Sequence, residues 1–218
     1  MNEAASRTVV VWDWPVRVVH WLFVLCVAVS WWSAEKRMMD VHLYSGYTLL
    51  GLLVFRIYWG FAGSATARFS QFVRGPKAIA EYLRHPPVPP PPGHNPLGGW
   101  SVVTLLALLT TQVILGLFVT DIDGLESGPL SYLVSFETSR LLADIHEVVF
   151  NVLLGFVALH IAAILFYLFV RRTNLIGAML TGRRRAEAVA ASTSLVSTWR
   201  VVPGAILAAL VVWYVTKV

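Results

Sequence analysis

Five apolar stretches, each near or above the length a helix needs to cross a lipid bilayer, dominate this chain. They cover residues 18–34, 42–62, 98–120, 145–170 and 201–216, the last being the shortest. A hydrocarbon layer ~30 Å thick is spanned by about 20 mostly apolar residues in an α-helix. Inside that layer every backbone N–H and C=O must find its partner within the chain. The sequence therefore predicts an all-α integral membrane protein, with a four-helix transmembrane bundle and a fifth, C-terminal transmembrane helix. Composition agrees, since 57% of the 218 residues are hydrophobic and 13% are charged, which excludes an ordinary soluble domain.

Arg7 and Arg17 precede the first apolar run in the manner of a secretion signal. That run ends in Ser30, Trp31, Trp32 and Ser33, where bulky rings occupy the place of a small-residue cleavage site, and it carries His20. It is read as a permanent helix. Arg7, the loop with Arg68, Arg74, Lys77 and Arg84, and the segment with Arg171, Arg172, Arg183, Arg184 and Arg185 alternate with connections holding only Lys36, Arg37, Arg140 and Lys217. Positively charged loops stay inside, so the N-terminus is expected in the cytoplasm. The net charge of +5 reflects this topology and gives no support to nucleic-acid binding.

The connections differ in character. Within the cytoplasmic loop 63–96, ARFSQFVRGPKAIAEYLR mixes aromatic, aliphatic and basic residues like a segment lying at the lipid surface, and HPPVPPPPGHNP reads as an extended proline spacer. On the other side, 121–144 carries Asp121, Asp123, Glu126, Glu137 and Asp144 against Arg140 alone. Such a surface suits a basic soluble partner, or is an ordinary solvated loop.

Four histidines, His20, His42, His146 and His160, lie within or at the ends of apolar segments, whereas His85 and His94 sit in the polar cytoplasmic loop. Taken singly, His20, His42 and His146 read equally well as interfacial rings. His160 lies in VALHIAAILF, and an ionisable group that deep points to function. Fourteen residues separate His146 from His160, a rotation within about 40° of whole turns and a rise of roughly 21 Å. They share a helix face at two depths. With helices alternating in direction, His42 falls at the level of His146 and His20 at the level of His160.

Two imidazoles fill the axial positions of a heme iron, an arrangement suited to electron transfer. Zinc would lack ligands at either level, apart from Glu147 beside one pair. Cys26 is the only cysteine, so no C-x-x-C-H attachment exists and any heme would be b-type. Two heme b groups are expected. Gly46, one turn from His42, and Gly155, between His146 and His160, offer room for a porphyrin, and Gly51 and Gly116 add to it; each reads equally as close helix packing. Arg56, fourteen residues after His42, is expected on the heme side at the lower level, where a propionate would balance its charge. Arg17, one turn before His20, would serve the same heme or anchor the helix in the cytoplasm. His94 and Asn95 in GHNPLGG read as a turn before Pro96, or as a contact to a propionate or quinone.

VWDWPVRVVHW, HLYSGYTLLGLLVFRIYWGF, GHNPLGGW and HEVVFNVLLGFVALH together resemble the bacterial cytochrome b561 family, which includes the b-type cytochrome subunits of nickel-iron hydrogenases and formate dehydrogenases. The resemblance covers about residues 9–185. It implies a di-heme domain over 1–185, with ligands His20, His42, His146 and His160 from helices one, two and four, followed over 186–218 by a linker and the additional helix. It also implies electron transfer between a quinone in the membrane and a redox partner outside it, as a subunit of an oxidoreductase system. Two alternatives stay open: a self-sufficient superoxide:quinone oxidoreductase, and a heme-free transporter or anchor. No quinone-binding residue is assigned, and an oligomer is left open.

Overall fold

The computed structural model describes residues 7–85, 87, 93–186 and 195–217. Five long helices carry the chain: α1 (Trp14–Glu35), α2 (Met39–Ala62), α5 (Pro96–Gly116), α6 (Phe136–Phe169) and α8 (Val201–Lys217). Three short ones accompany them, α3 (Phe69–Phe72), α4 (Pro76–Arg84) and α7 (Leu175–Thr181). By length and apolarity α1, α5, α6 and the segment Thr198–Lys217 can cross a membrane. α2, with 24 residues, is long enough but more polar, because it carries His42 and keeps Ser45 and Arg56 buried. The protein is a multi-pass, all-α membrane protein with a C-terminal helix beyond the bundle.

α6 begins at Phe136, well before the apolar run at 145, and its 34 residues extend about 51 Å. Its first turns therefore project beyond a hydrocarbon layer ~30 Å thick, and half of the acidic connection is helical. The proline run expected as a spacer falls largely on residues 86 and 88–92, outside the described residues.

The chain divides into two compact units, with the division passing through α1, α2, α5 and α6. The first contains Met1–Val18, Ile57–Thr104 and Leu159–Val201. Here β1 (Arg7–Val10) pairs antiparallel with β2 (Arg183–Ala186), in the register Val9 to Arg184. This ribbon was not expected from sequence. Its basic strand read as topological charge, yet the pairing satisfies backbone groups of both end segments. Val11 and Trp12 continue it by donating their N–H groups to the Gly182 carbonyl. Gly182 ends α7 at φ +78°, and a Cβ there would lie 2.7 Å from the Trp12 carbonyl oxygen, so both backbone conformation and packing call for glycine.

The sequence WDWP starts α1. Asp13 Oδ1 accepts the Val16 N–H at 3.0 Å, capping the helix, with Pro15 in the first turn. Asp13 Oδ2 accepts the Trp59 indole N–H at 2.9 Å, and both residues are buried. At α5, Asn95 Oδ1 accepts the Gly98 N–H at 2.7 Å ahead of Pro96, while its amide donates to the Tyr167 hydroxyl at 2.7 Å. The turn reading of GHNP thus holds for Asn95. His94 stacks between Trp12 and Phe72, with ring centroids 4.5 and 4.6 Å away.

The second unit contains Val19–Arg56, Leu105–Ala158 and Val202–Val218. Its core joins Cys26, Leu49, Leu50, Leu53, Leu109, Val113, Leu153 and Val215. α8 approaches α2 so closely that a Cβ on Gly51 would meet Val212 at 3.2 Å; here the packing reading of a glycine is the right one. A three-residue turn links α1 to α2. Met38 donates to the Ser33 carbonyl at 2.8 Å, Arg37 donates to Ala34 at 3.0 Å, and Arg37 adopts φ +54°, as helix C-termini commonly do.

Replacing Asp13 with alanine removes a cap and leaves the Trp59 N–H buried without its acceptor. A destabilisation of about 3 kcal/mol is expected, read as a lower unfolding temperature in detergent, and Asp13→Asn should recover part of it.

Candidate heme site

The turn between α1 and α2 sets the register that positions His42. It brings Ser30 beside Ser45, with hydroxyl oxygens 2.6 Å apart, and places the Ser30 carbonyl 2.9 Å from His42 Nδ1. A carbonyl can only accept, so Nδ1 carries the proton and Nε2 keeps its lone pair. That tautomer is the one a metal ligand needs. Ser45 in turn donates to the His42 carbonyl at 2.8 Å.

Across from His42 stands His146 of α6. Their ring centroids are 6.3 Å apart and their planes differ by 73°. Two imidazoles that bind one metal atom from opposite sides, with metal–nitrogen distances of about 2 Å, hold their centroids about 6 Å apart. The observed spacing fits an iron atom between them. Among the described residues no three His, Cys, Asp or Glu side chains gather into a metal site. The pair therefore suits a metal whose other ligands come from a macrocycle.

Space for such a plate is present. A Cβ on Gly46 or on Gly155 would meet no atom within 4 Å, as expected where a flat ring is to lie. Gly116 of α5 has a different role. A Cβ there would lie 3.1 Å from His146 Cε1 and 3.6 Å from Nδ1, so its bare backbone admits the His146 ring against α5.

The remaining candidates are distributed as follows. His20 lies half-buried in the second unit, edge-on to the Trp21 ring at 5.1 Å, and His160 lies half-buried in the first. Arg56 is 6% exposed, belongs to the second unit and is engaged by other groups. Arg17 belongs to the first unit, where Nη1 donates to the Leu180 carbonyl at 2.8 Å. That contact caps the C-terminus of α7, where a cation also meets the negative end of the helix; neither reading of Arg17 anticipated it. A cavity of about 420 Å³ lined by Trp12, Asp13, Arg17, Trp59, Gly182 and Arg183 also lies in the first unit, and none of the four histidines lines it.

The Ser30 carbonyl and Gln112 escaped sequence reasoning. The first is a backbone acceptor, which no side-chain pattern marks. Gln112 left a visible signal: it is a lone amide one turn before the end of an apolar helix. It is 8% exposed, and its Oε1 is buried with no hydrogen-bond partner among the described residues.

Residues 11–182 match the family model of prokaryotic cytochrome b561. The chain belongs to this family. No curated protein and no solved structure matches it. Membership makes this cytochrome a heme b protein of the membrane that takes part in electron transfer, in agreement with the imidazole pair of α2 and α6. The matched region ends at residue 182, so α8 lies beyond it.

A Cβ at Gly46 or Gly155 meets no atom within 4 Å, so leucine there would enter the open space. The helices should persist while heme per chain falls, measured by pyridine hemochrome alongside the elution profile. Full heme content in both variants would mean that these glycines border lipid.

Proposed function

We propose that this cytochrome is a di-heme electron carrier of the bacterial inner membrane, passing electrons between a quinone and a redox protein on the outer side. The observation that carries this reading is the 6.3 Å separation of the His42 and His146 rings, with an oriented tautomer on one of them. In this reading His42 and His146 hold one heme, and His20 and His160 hold the other. A heme b with two imidazole ligands takes up and releases single electrons and leaves no axial position for oxygen. The chain supplies the rest. Ser30 fixes the His42 ring, Gly116 lets the His146 ring seat against α5, and the apolar helices keep water from both levels. Arg56, buried on α2, offers a positive charge toward a propionate. The N-terminus is assigned to the cytoplasm, which puts His42 and His146 at the outer level.

The surface beside that level supports docking of a basic partner such as a c-type cytochrome. Asp123, Glu126, Glu137 and Asp144 are exposed, and Ile122 and Leu125 stand among them at 76% and 83% exposure. Ser139 holds the segment in place by bonding the Phe118 carbonyl and the Thr120 hydroxyl, while Arg140 donates to the Thr120 carbonyl. The one ion pair there, Arg140 with Asp144 at 3.9 Å, leaves the other carboxylates to set the field. A negative surface repels superoxide, which disfavours the superoxide:quinone reading.

His42→Ala and His146→Ala are each expected to abolish the same heme, leaving one heme per chain and one set of reduced-minus-oxidised bands. His20→Ala and His160→Ala should abolish the other. Loss of different hemes from His42→Ala and His146→Ala would break the pairing.

Neutralising Asp123, Glu126 and Glu137 together should slow electron exchange with a basic soluble cytochrome at low salt and flatten its salt dependence, measured by stopped flow.

A further inference from the structure

The two imidazoles of the outer pair are not equally served. His42 Nδ1 has the Ser30 carbonyl at 2.9 Å, whereas His146 Nδ1 is buried with no hydrogen-bond partner among the described residues. The Gln112 backbone carbonyl approaches His146 as an acceptor but falls short of good hydrogen-bond geometry. A ring nitrogen carrying a proton in an apolar interior needs an acceptor. On α5, one turn before the Gly116 backbone that His146 packs against, a second buried group lacks a partner: Gln112 Oε1. One group is a donor, the other an acceptor, and both belong to the second unit.

We propose that Gln112 is a positioning residue for His146, its Oε1 accepting the His146 Nδ1–H when heme is bound. The inference rests on the reading of His42 and His146 as axial ligands of one heme. Rotation of the glutamine side chain, whose torsions are free to change rotamer, brings together two groups that otherwise stay buried and unsatisfied. The contact would do for His146 what Ser30 does for His42. It would hold the proton on Nδ1, present the Nε2 lone pair to iron and, by raising the basicity of the ring, favour the oxidised state. A side-chain amide differs from a backbone carbonyl in one respect: a single substitution can change it.

The test uses the full heme-loaded protein with Gln112→Leu, which removes the acceptor at similar volume, and Gln112→Glu, which keeps an acceptor. Redox titration and low-spin electron paramagnetic resonance are read for each heme, and the outer one is identified as the heme missing from His146→Ala. Gln112→Leu should raise the midpoint potential of that heme and change its resonance, with the other heme unmoved. Gln112→Glu should keep it at or below the unmodified value. If Gln112→Leu does not fold, the glutamate variant decides alone, because a raised potential of that heme in it contradicts the contact. Potentials and resonances unchanged in both variants, or equal shifts of both hemes, would overturn the proposal. If His146→Ala keeps both hemes, the ligand reading itself fails. If it loses one heme and neither Gln112 variant moves the other's partner, only the role of Gln112 fails.

Discussion

Hydrocarbon offers no hydrogen bonds, so every polar group carried into the bilayer must be answered from within the protein. Much of the structure follows from meeting that demand at a few places. Asp13 answers both the first turn of α1 and the Trp59 indole. Ser30 and Ser45 answer each other and His42. Ser139 and Arg140 close the backbone of the connection between α5 and α6 where it meets α6. The apolar contacts of the second unit supply cohesion, but they would tolerate many rotations and slides of one helix against another. The polar contacts restrict those freedoms, since a buried donor moved out of register is far more costly than a displaced methyl group.

Sequence reasoning was strongest where periodicity and solvent set the answer. The long helices, the additional C-terminal one and the meeting of His42 with His146 were all legible, because residue spacing fixes both rotation and depth along a spanning helix. Gly46 and Gly155 were also legible as open positions, though no pattern could separate them from Gly51, which serves packing. Three kinds of feature were hidden. Helix starts were misjudged where polar residues continue the helix beyond the membrane, as in the Phe136 turn of α6. The ribbon between β1 and β2 joins segments far apart in sequence, and nothing in a basic run announces a strand. Arg17 was read as serving a heme or anchoring α1, and neither reading pointed to the carbonyl at the end of α7.

His42 and His146 are also held in different ways. His42 is oriented by its sequence neighbour Ser30 through main chain, so substitution of the serine side chain leaves the acceptor in place. His146 packs against α5, where the missing Cβ of Gly116 admits its ring. The setting of His42 is thus insulated from side-chain mutation, while that of His146 is open to it. Differences between relatives in the affinity or potential of this site are expected to arise on the α5 side.

The short link between α1 and α2 carries a consequence for biogenesis. His42 and the carbonyl that orients it belong to a single hairpin, complete once α2 has emerged from the ribosome and paired with α1. His146 arrives only after α5 and the outer connection have been made. One ring of the imidazole pair therefore sits in a hairpin that is made first, and the other joins it only with the insertion of α6.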